Sequence, residues 1–256
     1  MPGRTDCESC QLLSSSDPWA PFRDSVARQA IFLRNPLPPG PGVCRVCRCA
    51  ARDPYDVCYP CRIHREASRL TADAVVPIAY ALKGAQHAHH LASYKFDPPS
   101  FGARTALQAL GVLFLGTHRS CLERVAGGQL THAVVVPSTR GRSGVHPLQA
   151  LLGPSTSLPF LDARVRVEYP RDDRTFHGDR FAVPTLRDAR VLLLDDTWTT
   201  GARAQSLSHT LKASGARSVV IVVLGRHLNG GHDGSKALVE QARRTEFDID
   251  RCVLDA

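Results

Sequence analysis

The chain has 256 residues, 43% of them hydrophobic, which is enough to bury an ordinary globular core. No apolar run approaches the roughly 20 residues that a membrane-spanning helix requires, and the first residues lack the apolar centre of a signal peptide. We therefore expect a cytoplasmic protein without a membrane partner. The formal net charge of +8 is spread along the chain without a run of like charges, so nucleic acid is left open as a partner but is not favoured.

Composition divides the chain into three units. Residues 1–42 predict an irregular N-terminal arm, since they include a serine run and the Pro/Gly-rich stretch Pro36–Gly42. Residues 43–70 are dense in cysteine. From residue 71 to residue 256, short β-branched runs alternate with amphipathic stretches, a pattern typical of βαβ units. The sequence therefore predicts an α/β fold, with a Rossmann-like parallel sheet flanked by helices and a small cysteine module in front of it.

The second unit contains two CxxC pairs. Each CxxC turn presents two thiolates to the same ion, and four thiolates complete a tetrahedral zinc site. Because such a site has no open position, we expect the zinc to be structural. The predicted ligands are Cys44, Cys47, Cys58 and Cys61.

Other potential metal ligands lie near this module or outside it. Cys49 and His64 are close enough in sequence to replace one of the four cysteines as a ligand. Cys7 and Cys10 form a third CxxC pair, either a decayed half-site or free thiols on the arm. A cluster of three histidines is expected to be solvated because no cysteine or carboxylate accompanies it: His87, His89 and His90.

The periodic segments of the third unit alternate between strand and helix patterns. The predicted strands are Ala74–Ile78, Ala133–Val136, Val165–Tyr169, Val191–Leu194 and Val219–Leu224. The predicted helices are Ala103–Arg124, His146–Leu152, Gly201–Ser214 and Ser235–Arg244. The segment Asp162–Arg187 is rich in charge, Pro and Gly, and is predicted to include a mobile loop.

The most informative pattern starts at the strand Val191–Leu194. Asp195 and Asp196 follow it directly, at the carboxyl end where open α/β sheets bind their ligands. The loop Thr199–Gly201 then leads into a helix, and such a loop offers backbone N–H groups, hydroxyls and a positive helix terminus to an anion. Adjacent carboxylates repel each other, so this position favours hydroxyl donors or a cation nearby. The alternative is an ordinary strand–loop–helix turn capped by Asp.

A second strand also runs into a small cationic loop. Ser138, Thr139 and Arg140 follow the strand Ala133–Val136 and are suited to a diphosphate leaving group, whose charge grows as the bond to it breaks. Because strand–Pro–Ser turns are common, this segment indicates little without the first loop.

The segment Asp195–Arg203 resembles the phosphoribosyl diphosphate signature of type I phosphoribosyltransferases. With the cysteine module in front of it, the stretch from Cys44 to Leu228 resembles the ComF-type family, named for competence for DNA uptake. The shared segments include Tyr94–Phe96, which contains a lysine, and Gly178–Phe181. The resemblance implies a phosphoribosyltransferase domain over residues 71–256.

The resemblance also implies roles for individual residues. Asp195 and Asp196 would address the ribose 2′ and 3′ hydroxyls, and with Arg140 they form the predicted catalytic set. The 5′-phosphate would be held by Thr199, Thr200 and Gly201. The predicted substrate-binding set is Ser138, Thr139, Thr197, Thr199, Thr200, Gly201, Ala202 and Arg203.

The chain departs from the family pattern at three places. Arg203 stands where the family usually has Thr or Ser. Thr199 stands where purine-salvage members have an Asp that serves the base, so a 6-oxopurine acceptor is less expected. The stretch Arg142–Gln149 replaces an Arg-Gly-Phe-Asn-Gln sequence that is frequent in the family.

The predicted function is transfer of the phosphoribosyl group from 5-phosphoribosyl diphosphate, bound with Mg²⁺, to an unidentified acceptor. A charged loop within Asp162–Arg180 is expected to close over the site through Arg171 or Arg174. Two other classes stay open, a regulator that binds the metabolite without turnover and an accessory protein of competence or DNA uptake. A homo-oligomer is also left open.

Overall fold

The computed structural model describes residues 17–138, 144–170 and 173–254, which form eight helices and six strands. The helices are α1 (Ala20–Gln29), α2 (Tyr59–Ala67), α3 (Gln86–Ser93), α4 (Phe101–Thr117), α5 (Arg119–Ala126), α6 (Pro147–Thr156), α7 (Ala202–Ala213) and α8 (Asp233–Arg244). The strands are β1 (Ala74–Leu82), β2 (His132–Val135), β3 (Arg164–Val165), β4 (Phe181–Ala182), β5 (Ala189–Trp198) and β6 (Ala216–Leu228). None of the helices in these ranges combines the length and apolar character needed to cross a bilayer.

Four strands form a parallel sheet in the order β1-β6-β5-β2. The central strand β5 places Val191 opposite Val219 of β6 and Leu192 opposite Ala133 of β2. Because all four strands run in the same direction, their carboxyl ends meet at one edge of the sheet. The predicted α/β fold with a parallel sheet flanked by helices is confirmed at this level.

Alternate side chains of β5 enter two separate hydrophobic layers, as the period of a strand requires. Leu192 and Leu194 pack with residues of α4, whereas Val191 and Leu193 pack with residues of α7 and with the cysteine module. All four side chains are at most 1% exposed. Each contributes roughly 1.5–3 kcal/mol by leaving water, so the strand that leads to the site is firmly held.

The structure corrects two predicted elements. The single helix predicted at Ala103–Arg124 is interrupted at His118, which has non-helical dihedrals and separates α4 from α5. Its Nε2 donates to the Ile249 carbonyl at 2.7 Å, so a long-range contact fixes the break. The strand predicted at Val165–Tyr169 is only the two-residue β3, which pairs antiparallel with β4 outside the parallel sheet.

Two further predictions about exposed segments are wrong. The arm predicted to be irregular contains helix α1, whose buried Val26 belongs to the same core as α4. His87, expected to be solvated, is 1% exposed, and its Nε2 donates to the Leu224 carbonyl at 3.0 Å. The period of α3 turns His87 towards the sheet, while His89 remains exposed.

A buried arginine connects the cysteine module to the end of the sheet. Arg226 of β6 is 5% exposed, and its Nε donates to the Cys47 carbonyl at 3.1 Å. Its Nη1 donates to the Trp198 carbonyl at 2.9 Å. One guanidinium therefore binds the first CxxC turn and the last residue of β5 at once.

We expect Arg226→Ala to lower the free energy of unfolding by about 3 kcal/mol, because the buried carbonyls of Cys47 and Trp198 lose a charged donor. Chemical denaturation measures this change. The control is Arg217→Ala on the same strand. Because the Arg217 side chain is 60% exposed, this substitution should lower the free energy of unfolding by less than about 0.5 kcal/mol. Equal effects of the two substitutions would contradict the structural role of Arg226.

Candidate functional site

The two adjacent aspartates lie at the carboxyl end of β5, and both are partly buried. The Tyr94 hydroxyl and the Lys95 ammonium each donate to Asp196 Oδ2 at 2.7 Å. The backbone N–H of Asp196 donates to Asp195 Oδ1 at 2.9 Å. The segment after α3 therefore supplies a cation and a hydroxyl to one carboxylate of the pair.

The surroundings separate the acidities of the two carboxyl groups. Burial and the neighbouring Asp196 charge together raise the pKa of Asp195 to about 7. Burial opposes ionisation of Asp196 as well, but the Lys95 charge and the hydrogen bonds from Lys95 and Tyr94 outweigh it and lower the pKa of Asp196. Near neutral pH the pair thus combines a permanent carboxylate with one that is readily protonated.

The loop after the aspartates requires glycine at its last position. Gly201 has φ +81°, in the left-handed region, and a Cβ there would lie 2.0 Å from Cζ2 of Trp198. The Trp198 side chain is fully buried beneath the loop. Helix α7 begins at the next residue, Ala202, so its N-terminus opens towards the loop. The tight turn over an indole ring brings the backbone close to any bound group.

A cavity of about 310 Å³ opens at this edge of the sheet. It is lined by the carboxyl end of β5, the loop and first turn of α7, and Ser138 after the neighbouring strand β2. The structure thereby gathers these residues predicted from sequence: Ser138, Asp195, Asp196, Thr197, Thr199, Thr200, Gly201, Ala202 and Arg203. Thr139 and Arg140 lie outside the described residues, as does Arg171.

Besides Arg174, three ionisable residues that the predicted site did not include line this cavity. They are Lys95, His146 and Asp173. Lys95 carried a signal in the sequence, because it belongs to the lysine-containing segment Tyr94–Phe96. His146 and Asp173 belong to the segments Arg142–Gln149 and Asp162–Arg180, which the sequence singled out, but only the tertiary structure shows that these two side chains line the cavity.

The segment Asp173–Arg180 is anchored to helix α7 beside the cavity. Asp173 accepts from Thr175 and from His177 and forms an ion pair with the buried Arg180. Burial opposes its ionisation, but these hydrogen bonds and the Arg180 charge lower the pKa of Asp173 to about 2. The backbone N–H of His177 donates to Ser206 Oγ on α7 at 3.0 Å.

This anchoring brings Arg174 to the cavity. The Thr200 hydroxyl donates to the Arg174 carbonyl at 3.2 Å, and Arg174 is one of the residues that line the opening. The segment Asp173–Arg180 therefore contacts the loop Thr199–Gly201 directly. It places Arg174, one of the two arginines expected in a closing loop, at the cavity.

The cysteines of the two CxxC pairs form a separate buried group. Their four sulfur atoms lie within 4.8 Å of one another. The Cys47 and Cys58 sulfurs are 3.7 Å apart, close to the roughly 3.8 Å edge of a tetrahedron with 2.3 Å zinc–sulfur bonds. The four residues Cys44, Cys47, Cys58 and Cys61 therefore fit one zinc ion, and the alternative ligands Cys49 and His64 lie outside this group.

A second potential metal group occurs on the other side of the sheet. One ring nitrogen of His118 and the sulfurs of Cys121 and Cys252 also lie within 4.8 Å of one another, and all three side chains are buried. With three ligands this group lacks the closed tetrahedral set of the CxxC pairs. Cys7 and Cys10 lie outside the described residues.

Comparison with known proteins gives no family assignment. No protein-family model matches the chain, and no curated protein matches it either. A functional conclusion therefore depends on the geometry and chemistry of the cavity and of the cysteine group.

The purified full-length protein is expected to contain about one zinc ion per chain, and Cys58→Ser should lose it because three thiolates no longer close the tetrahedron. Elemental analysis measures the metal. Cys121→Ser, which also alters a buried cysteine, should keep the zinc. Metal-free wild-type protein prepared without chelator, or loss of zinc from Cys121→Ser alone, would contradict the assignment.

Asp195→Asn should raise the midpoint of thermal unfolding more at pH 8 than at pH 5. The folded state keeps the proton of Asp195 up to about pH 7, whereas an unfolded Asp loses it near about pH 3.9. Ionisation therefore destabilises the folded wild type increasingly as the pH rises between these values, and asparagine removes this cost.

The control for the pH experiment is Asp162→Asn. The exposed Asp162 carboxylate has a hydrogen bond from Arg164 that lowers its pKa, so its removal should bring no gain at high pH. Equal stabilisation by Asp195→Asn at pH 5 and pH 8 would contradict the raised pKa of Asp195.

Proposed function

We propose that the chain has a type I phosphoribosyltransferase fold, binds 5-phosphoribosyl diphosphate with Mg²⁺ and transfers the phosphoribosyl group to an acceptor. The observation that carries this proposal is the single cavity that combines the Asp195–Asp196 pair, the Thr199–Gly201 loop and Ser138. An ordinary capped turn explains neither the raised pKa of Asp195 nor the ion pair between Lys95 and Asp196.

The proposed ligand matches the cavity group by group. Its 5′-phosphate fits the loop Thr199–Gly201 and the N-terminus of α7, where backbone N–H groups and hydroxyls favour an anion. The ribose hydroxyls are donors, and Asp195 and Asp196 are the acceptors beside that loop. Lys95, Arg174 and Arg203 bring positive charge to the same cavity, as a highly anionic ligand requires.

The reaction proposed for this site breaks the bond between C1 of the ribose and the diphosphate oxygen. The electron pair leaves with the diphosphate, and a lone pair of the acceptor forms the new bond to C1. Ser138 and, in the loop after β2, Arg140 would stabilise the leaving group, while the nearby carboxylates favour the positive charge that develops on the ribose. Magnesium bound to the diphosphate would neutralise part of its charge. Positioning supplies the rest of the rate enhancement.

The cysteine module supports the same proposal because Arg226 connects it to the residue beneath the loop. Because Arg226 binds both the Cys47 and the Trp198 carbonyls, a structural zinc at the CxxC pairs would help fix the residue on which Gly201 rests. We propose a ComF-type arrangement in a cytoplasmic protein on this basis. The module then acts as a support for the site and takes no part in the reaction.

A regulator that binds the metabolite without turnover is the second candidate. The observation that favours it is the stretch Arg142–Gln149 after β2, which departs from the family sequence, together with Arg203 in the loop. Such a protein would show the same binding but would release no diphosphate in the presence of any acceptor. Binding and turnover must therefore be measured separately.

Isothermal titration with 5-phosphoribosyl diphosphate and Mg²⁺ should detect binding to the wild-type protein. The double substitution Asp195→Asn and Asp196→Asn should weaken it about ten- to hundredfold, because the ribose hydroxyls lose charged acceptors. Thr200→Val should weaken it less, since the backbone of the loop is kept. The ligand should also raise the thermal midpoint of the wild type.

The matched control is the double substitution Asp162→Asn and Asp188→Asn, which removes two exposed carboxylates that do not line the cavity. It should bind like the wild type. Absence of detectable binding to the wild type at millimolar ligand with Mg²⁺ would contradict the proposed function.

A further inference from the structure

A second cavity adjoins the first on the side of β1. Its volume is about 710 Å³, and four residues line both cavities: Lys95, Arg174, Thr197 and Thr199. The two cavities therefore adjoin each other along these four residues. If the first holds the phosphoribosyl donor, the second is the adjoining place for its reaction partner.

The strand order puts the second cavity opposite the leaving-group side. Ser138 follows β2, at one end of the sheet order β1-β6-β5-β2. Ala81 belongs to β1 and His227 to β6, on the other side of β5, and both line the second cavity. A nucleophile there would approach C1 from the side away from a diphosphate held near Ser138, as a displacement requires.

The charged residues around the second cavity are all basic. Lys83, Lys95 and Arg174 carry permanent positive charge, and His89 and His227 add two imidazoles. No Asp or Glu is among the described residues that line it. Burial, together with the charges of Arg226, Arg174 and Lys83, lowers the pKa of His227, which favours its neutral imidazole.

The remaining wall is apolar and includes an exposed aromatic ring. Small aliphatic surfaces come from Ala85, Ala88, Leu91 and Ala92. The aromatic ring belongs to Phe96, which is 56% exposed. A flat aromatic ligand gains from contact with a phenyl ring and with alanine methyl groups. The cavity therefore combines an apolar surface with a cationic rim.

We propose that the second cavity is the acceptor subsite and that its acceptor is a planar aromatic carboxylate. This inference rests on the proposed function and adds the class of acceptor to it. Lys83 and Arg174 bind the carboxylate, and the aromatic ring lies against Phe96 and the alanines. The acceptor's nucleophilic lone pair forms the bond to C1 as diphosphate leaves with the electron pair of the broken C–O bond. Where the nucleophilic atom carries a proton, that proton passes to the neutral imidazole of His227.

Matched pairs of small acceptors test the proposal on the full-length protein. The probes are nicotinate against nicotinamide and orotate against uracil, each pair differing in a carboxylate. With saturating 5-phosphoribosyl diphosphate and Mg²⁺, at least one carboxylate should bind about tenfold more tightly than its neutral partner and release diphosphate. Lys83→Gln should reduce that preference about two- to fivefold, as expected for one solvated charge pair.

The control variant is Lys236→Gln, an exposed lysine of α8 that lines neither cavity, and it should keep the full preference. Donor binding is measured for every variant without acceptor, and Lys83→Gln should leave it unchanged. If the donor binds but the carboxylates bind no better than their neutral partners, or Lys83→Gln has no effect, the acceptor assignment is wrong, while the donor site of the proposed function is retained. If the donor itself does not bind, both fall.

Discussion

The burial of two adjacent carboxylates at the end of one strand is the constraint on which the site depends. Asp195 and Asp196 follow four buried apolar residues of β5, so the strand holds both carboxylates at its carboxyl end. Their mutual repulsion is relieved mainly at Asp196, which accepts hydrogen bonds from Lys95 and Tyr94. Asp195 keeps a raised pKa, because its surroundings supply less compensation. A donor-rich ligand beside Asp195 would supply what the protein leaves out, and a ribose diol is such a ligand.

Rigid support beneath the site explains why the cysteine module and the sheet share one core. Trp198 fills the space under Gly201, and Arg226 holds the Trp198 carbonyl and the first CxxC turn together. The Tyr80 hydroxyl donates to the Arg48 carbonyl at 2.6 Å, so β1 holds the same turn. Preorganised donors are what electrostatic stabilisation of a leaving group requires, since a loop that must reorganise during the reaction loses part of the benefit.

The sequence predicted the parts of the molecule that depend on local pattern. Local pattern predicted the apolar run of β5, its two aspartates and the glycine of the loop. Burial, charge and a left-handed backbone conformation each favour particular residue types. The break at His118, the burial of His87 and the position of the segment that contains Asp173 could not be predicted. Each depends on a contact with a segment distant along the chain or on the face that a helix turns inward. Lys95 was only partly predictable. The sequence singled out the segment that contains this lysine, but only the tertiary structure identifies Asp196 as its partner.

A crystal structure of the protein with 5-phosphoribosyl diphosphate and Mg²⁺ would show whether the aspartate pair binds a ribose. We expect the 5′-phosphate against the backbone of Thr199–Gly201, and the ribose hydroxyls within hydrogen-bond distance of Asp195 and Asp196. We also expect the diphosphate near Ser138, and C1 facing the cavity that contains Lys83 and Phe96. Ligand density at another surface, or a ribose that contacts neither aspartate, would show that this site does not bind the donor.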